Sequence, residues 1–194
     1  KILMRKLKKT CRFDTIIHQH ISYFDLDSLR YLLAKVGCNI EKYFYFNEGS
    51  CSGSLIFYFK KKRNVKIPII SRNRIFKKYK KIIEAKKSYD RQMIDLRKAI
   101  KEEKSNVFGY GAGMMLATFF YYLKINHKNM IVFDDDRKKN GTSYKNINVK
   151  IRIPKKRYFN KSFSFLITSL ENQKPILKKI LNLWPKKIFH SQIL

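Results

Sequence analysis

The spacing of apolar residues changes along the chain, and each change marks an element. In "DLDSLRYLLAKVG" (25–37), Leu29, Leu32, Leu33 and Val36 recur three and four positions apart, the period that lines one face of a helix. Asp27 or Ser28 supplies a short oxygen side chain to cap its orphan amides, and Gly37 ends it. "NIEKYFYF" (39–46) and "GSLIFYFKK" (53–61) then read as strands, joined by the turn chemistry of "NEGSCSG". "RNVKIPII" (63–70), with Pro68, reads as a connection. From Ser71 to about Lys104 there is neither Gly nor Pro, and Ile75, Tyr79, Ile82, Ile83, Tyr89, Met93, Leu96 and Ile100 recur at helical spacing. This predicts one long, partly exposed helix bridging two units.

Beyond it the pattern shortens. "NVFGYGAGMMLATFFYYLK" (106–124) predicts a short strand, a glycine-rich turn and an apolar helix. "NMIVFDDD" (129–136) predicts a strand ending in acids, and Asn140-Gly141 marks a turn. "FSFLIT" (163–168) reads as a buried strand, and "ENQKPILKKILNL" (171–183) as a helix with Pro175 in its first turn. "PKKIFH" (185–190) reads as a last short strand. Strands alternating with helices are the signature of a parallel α/β sheet. The fold class is therefore α/β: a helix and two strands, a long linking helix, then a small parallel domain.

Charge and cysteine content narrow the classes. The 194 residues carry 44 Lys+Arg against 14 Asp+Glu, a formal net charge of +30. Such an excess suits an anionic partner. Yet the lysines are spread along the chain, and the richness in Lys, Ile, Asn, Phe and Tyr matches an AT-rich coding bias. No nucleic-acid-binding signature with aromatics at the right spacing is present, so a solvated basic surface stands ahead of nucleic-acid binding. Cys11, Cys38 and Cys51 form no C-x-x-C and no even framework, which points to reduced thiols in a cytoplasm. No apolar run reaches membrane-spanning length.

Two stretches carry candidate chemistry. Gly109, Tyr110, Gly111, Ala112 and Gly113 follow a strand and precede a helix, where glycines let backbone approach a phosphate. Asp134, Asp135 and Asp136 end the next strand, where a dinucleotide-binding domain holds a ribose hydroxyl. Tight strand–helix packing explains the glycines equally well. The second stretch is "FDTIIHQHISYF" (13–24), in which His18 and His20 lie two apart on an extended segment and share a side. A single histidine there suits a general base, since its ordinary pKa of about 6.5 lets it accept a proton near neutrality. Both histidines as structural polar groups is the plainer reading, and a metal pair is the weakest because no third ligand is marked. Tyr23 orients a base or a substrate, or packs.

"FDTIIHQHISYFDLDSLRYLLAKVG" followed by "SGSLIFYF" resembles the closing part of the methyltransferase domain of the sugar C-methyltransferase family, and "GYGAGMMLATFFYYL" with "FDDDRKKNGTSYKNINVKI" resembles its C-terminal Rossmann-like domain. The resemblance runs from about Phe13 to His190. It implies methyl transfer from S-adenosylmethionine to a carbon of a nucleotide-linked keto-sugar. The family's base falls on His20, with His18 and Tyr23 beside it. Gln19 stands at the family's acidic position and Ile17 at its tyrosine. Substrate contacts implied are Gln19, Ser54, Gly109, Tyr110, Gly111 and Asp134. Where the family has Lys-Gly-Asn, this chain has Met115, Leu116 and Ala117, which favours a packed helix over a phosphate grip.

The expected organisation is a methyltransferase remnant over 1–62, a linker and helix over 63–105, and a Rossmann-like domain over 106–194. The family's donor-binding glycine turn and cysteine-rich part are not found before residue 60, and Lys1 stands in place of Met. The chain is therefore expected to be a truncated piece, inactive alone, binding no S-adenosylmethionine, with another chain a candidate supplier of the missing half. The alternative is a stand-alone nucleotide or nucleotide-sugar binding module. A basic nucleic-acid-binding protein stands third.

Overall fold

A computed structural model describes residues 22, 24–46, 54–126, 128, 130–144, 146–159, 161–169 and 172–191. It forms two units, Lys1–Tyr89 and Asp90–Leu194, divided inside one long helix.

In the first unit, α1 (Leu26–Lys35) is capped by Asp25, two or three residues before the expected Asp27 or Ser28. The Ser28 amide donates to the Asp25 carboxylate at 2.8 Å, and the Asp25 amide donates back to the Ser28 hydroxyl at 2.8 Å. This reciprocal box satisfies amides that a helix start leaves orphaned. Asp27 is instead an ion-pair partner: Arg74 reaches it at 2.8 Å, and Lys78 bridges Asp27 and Asp25. Burial opposes the Asp25 charge, but the bonds from Lys78 and Ser28 outweigh it and hold the carboxyl below its usual range. Gly37, at φ +72°, turns the chain into β1 (Cys38–Phe46), which pairs antiparallel with β2 (Ser54–Lys61). The register slips between Ile40 and Lys42, leaving Glu41 as a bulge. The long helix, α2 (Arg72–Glu102), follows.

The second unit is a Rossmann-like α/β fold built on five parallel strands in the order β5-β4-β3-β6-β7. The strands are β3 (Asn106–Tyr110), β4 (Met130–Phe133), β5 (Val149–Arg152), β6 (Phe163–Ile167) and β7 (Ile188–Phe189). Strand β5 is absent from the sequence reading, which saw only the turn at Asn140-Gly141. It is four residues long and alternates buried Val149 and Ile151 with lysine and arginine, so its apolar run is too short to stand out. Helices α3 (Leu116–Leu123) and α4 (Gln173–Leu181) link β3 to β4 and β6 to β7.

Aromatic rings make the core. Phe108, Tyr110, Phe133, Phe163 and Phe165 pack against Ile176 and Ile180 of α4, with Phe108–Phe133 at 5.3 Å and Phe163–Phe165 at 5.4 Å, both edge to face. Helix α3 buries Leu116, Phe119, Phe120 and Leu123 almost completely. At the end of α2, the Arg97 guanidinium donates to the Leu123 carbonyl at 2.7 Å.

Candidate functional site

Strand β3 is the switch point of the sheet: β4 lies on one side of it and β6 on the other. Loops leaving neighbouring strands in opposite directions open a crevice at their carboxyl ends. A cleft of about 280 Å³ lies there, lined by Gly111 and Gly113 after β3, Asp134 and Asp135 after β4, and Ser169 and Asn172 after β6. Pro175, Ile176 and Lys179 of α4 close one wall, with Lys139 and Tyr110 completing it.

The glycines answer the packing question first. A Cβ on Gly109 would lie 2.8 Å from Val132 Cγ2, and one on Gly111 would lie 2.4 Å from Ser169 Cβ. Gly111 also holds φ at +100°, where other residues are strained. Both positions thus require glycine for close approach of β3 to β4 and β6. Gly111 and Gly113 nonetheless present backbone to the cleft, so packing and ligand approach coexist there. The turn is locked from below: Thr168 Oγ1 donates to the Gly111 carbonyl at 2.8 Å, and the Gly111 amide donates to Phe133 O at 2.7 Å.

The three acids divide their work. Asp134 is committed internally: its carboxylate accepts from the Ala112 amide at 2.8 Å, the Asp136 amide at 2.9 Å and Lys139 Nζ at 3.1 Å. It clamps the β3 and β4 turns together. Asp136 caps a short helical turn by accepting from the Lys138 amide. Asp135 is the acid that faces outward, accepting from the Tyr110 hydroxyl at 2.9 Å and pairing with Lys179 across the cleft. Burial, and then the Asp135 bond, raise the Tyr110 hydroxyl well above its usual range, so it stays a donor. Tyr144, which donates to the Gly113 carbonyl at 2.7 Å, is pushed up to about 12 by burial and by the Asp134 charge.

The cleft thus offers glycine backbone and two ammonium groups, each paired with a carboxylate of the cleft, Lys139 with Asp134 and Lys179 with Asp135, so an anionic ligand would take the lysines in exchange for those partners. Sequence reasoning placed Gly111, Tyr110 and Asp134 here and missed Lys139, Lys179, Ser169 and Asn172. Lys139 lies in the "DDDRKKNG" run already singled out, and its spacing from Asp134 was the available signal. Lys179 is one lysine among many on a helix, so only topology brings it in. Gly109 sits beneath the cleft and does not line it. Ser54 begins β2, in the other unit. His18, Gln19, His20 and Tyr23 lie outside the described residues.

Among the described residues no three His, Cys, Asp or Glu side chains converge as a metal site, and no helix is long and apolar enough to cross a membrane. No protein-family model matches the chain, and no curated protein matches it.

Proposed function

We propose that the chain is the C-terminal portion of an S-adenosylmethionine-dependent C-methyltransferase acting on a nucleotide-linked keto-sugar, with the parallel-sheet unit holding that substrate. The observation carrying this reading is the switch-point cleft with Lys139 and Lys179 on its walls. Two ammonium groups beside a glycine-lined turn suit a diphosphate that displaces Asp134 and Asp135 as their partners. The resemblance of residues 13–190 supplies the reaction. In it His20 removes a proton beside the sugar ketone, His18 and Tyr23 support it, and the enolate carbon is the nucleophile. S-adenosylmethionine would supply the methyl group at a sulfonium. No second glycine-rich strand-turn is found for it among the described residues, so no donor contact is assigned to this chain. A cytoplasmic setting goes with this reading.

Calorimetric titration tests it. Expected is micromolar binding of thymidine- or uridine-diphosphoglucose and none of S-adenosylmethionine, with the nucleotide-sugar weakened about tenfold or more by Lys139→Ala with Lys179→Ala. Absence of nucleotide-sugar binding sinks the reading.

A second reading, a non-catalytic nucleotide-sugar binding module, is favoured by one fact: every residue lining the cleft belongs to the unit Asp90–Leu194. Sequencing the coding DNA upstream of Lys1 separates the two. An in-frame glycine-rich strand-turn favours the enzyme.

A further inference from the structure

The hairpin of the first unit carries a surface that neither reading above uses. Its register puts Lys42, Phe44 and Phe46 of β1 on one face with Ile56, Tyr58 and Lys60 of β2, because Phe44 pairs with Ile56 and Lys42 with Tyr58. That face is open: Phe44 is 40% exposed, Phe46 53%, Ile56 46% and Tyr58 61%. The opposite face is more covered, with Leu55, Phe57 and Ile40 half-buried and Arg30 of α1 stacked 5.6 Å over Tyr43, though Phe59 there is 56% exposed. Large apolar groups left in water on one face of a ribbon ask for a partner.

Charge decides which partner. The Lys42 ammonium lies 5.1 Å over the Phe44 ring, and Phe44 meets Tyr58 edge to face at 6.3 Å. Lysine is depleted from the cores of protein–protein interfaces, yet here Lys42 lies against Phe44 and opposite Tyr58 at one end of the face. The nearest acid in the strands, Glu41, is displaced by the bulge and paired with Lys62 at 3.7 Å. Phe44 and Phe46 two residues apart on β1, Tyr58 beside them on β2, and Lys42 and Lys60 together at one end of the face form a platform on which unpaired bases stack while phosphates meet lysine. The chain's net charge of +30 provides the long-range attraction. We propose that this face binds single-stranded nucleic acid, with bases against Phe44, Phe46 and Tyr58 and phosphates against Lys42 and Lys60. The sequence reading placed such binding last because the lysines are dispersed. Pairing in the hairpin gathers the ones that count.

The inference does not rest on the nucleotide-sugar reading, and the test separates them. The 194-residue chain is titrated into a fluorescein-labelled oligothymidylate of about twelve nucleotides, and anisotropy is followed at several salt concentrations. Expected is binding that weakens about tenfold or more in Phe44→Leu with Tyr58→Leu, at an unchanged salt slope, since leucine keeps bulk and removes the ring. Lys42→Gln with Lys60→Gln lowers the slope by about 1.4, two phosphate contacts on a single strand. Diphosphoglucose nucleotides do not compete. Failure to bind, or aromatic variants that bind like the parent, overturns the proposal and leaves only generic charge. Self-association of the chain that the same leucine variants abolish, without oligonucleotide binding, also overturns it and makes the face a protein interface.

Discussion

The two units use the same residue types to opposite ends. In the parallel-sheet unit, Phe119, Phe120, Phe133 and Phe165 are buried, and Phe133 meets Phe165 edge to face. In the hairpin unit, Phe44, Phe46, Tyr58 and Phe59 stand in water. The difference lies in layering. A strand covered on both faces spends its aromatics on cohesion, as β6 does with all five residues buried. A two-stranded ribbon covered in part on one face leaves its aromatics available for recognition. An aromatic in this chain is therefore informative only once its sheet is known.

Substitution can break that comparison directly. The largest effect is expected at Phe133, which is wholly buried and touches Phe108, Tyr110, Tyr158, Phe159 and Phe165. Phe133→Ala should cost about 3–5 kcal/mol, enough to unfold the unit near physiological temperature. Phe44→Ala should change stability by less than about 1 kcal/mol, because its side chain is 40% exposed and no core packs round it. Denaturant titration of both variants checks this. Equal losses would mean that the hairpin aromatics also hold the fold together.

Gly111 gives the next effect. Alanine there must keep φ near +100° and place its Cβ within 2.4 Å of Ser169 Cβ. The backbone strain alone costs of order 1–3 kcal/mol, before the clash moves the loop that forms the cleft. Gly111→Ala should therefore lose both stability and nucleotide-sugar binding. Gly37, at φ +72° in the hairpin unit, has open space and only the Lys62 carbonyl at 3.7 Å, so alanine there meets strain without a clash. A loss at Gly37 equal to that at Gly111 would remove the clash from the explanation.

Much of this was legible in the pattern of residues. The long helix was readable because thirty-odd residues without Gly or Pro hold one period, and β6 because "FSFLI" is apolar but for Ser164 and bounded by polar residues. Strand β5 was hidden by its length, and the α1 cap was displaced because Asp25, Asp27 and Ser28 are all good caps and only geometry chooses among them. The glycine turn was legible as a place where backbone approaches something, but not what it approaches. Lys179 joins Asp135 only after β6 and α4 have returned to the side of β3 opposite β4, 44 residues away in sequence. Short-range patterns carry no trace of that.

Glu103 sharpens the comparison through pH. The Ser105 amide, then Lys187 at 2.9 Å and Lys186 at 3.0 Å, hold its carboxyl far below the usual range. A carboxyl depressed in the folded state adds stability above its unfolded value of about 4.3 and loses it as pH falls toward the folded value. The parallel-sheet unit should therefore weaken in acid, and Glu103→Gln should lower its melting temperature at pH 7, a gap that narrows as pH falls below about 4.3 and closes only near the folded value. In the hairpin unit Asp25 is also depressed and gives the same sign. Acid melting of Glu103→Gln beside Asp25→Asn tells which unit yields first. A melting difference for Glu103→Gln that persists unchanged into acid would remove the ion pairs as its cause.

The smallest effect on stability belongs to Lys179. Its pair with Asp135 is about half exposed on both sides, and such pairs contribute about 0–1 kcal/mol. Lys179→Met should therefore leave melting nearly unchanged. It removes one of the two cations lining the cleft, however, and a bond to a charged group lost from a ligand costs about 1.5–3 kcal/mol, tenfold or more in affinity. The variant is thus a near-silent substitution for folding and a loud one for nucleotide-sugar binding, the reverse of Phe133→Ala. Its oligothymidylate affinity should stay within the change expected for one positive charge among many, because the hairpin face is untouched. If Lys179→Met instead weakened both ligands equally, both would be reading the same diffuse charge, and the division between a cohesive unit that binds a small anion and an open ribbon that stacks bases would collapse.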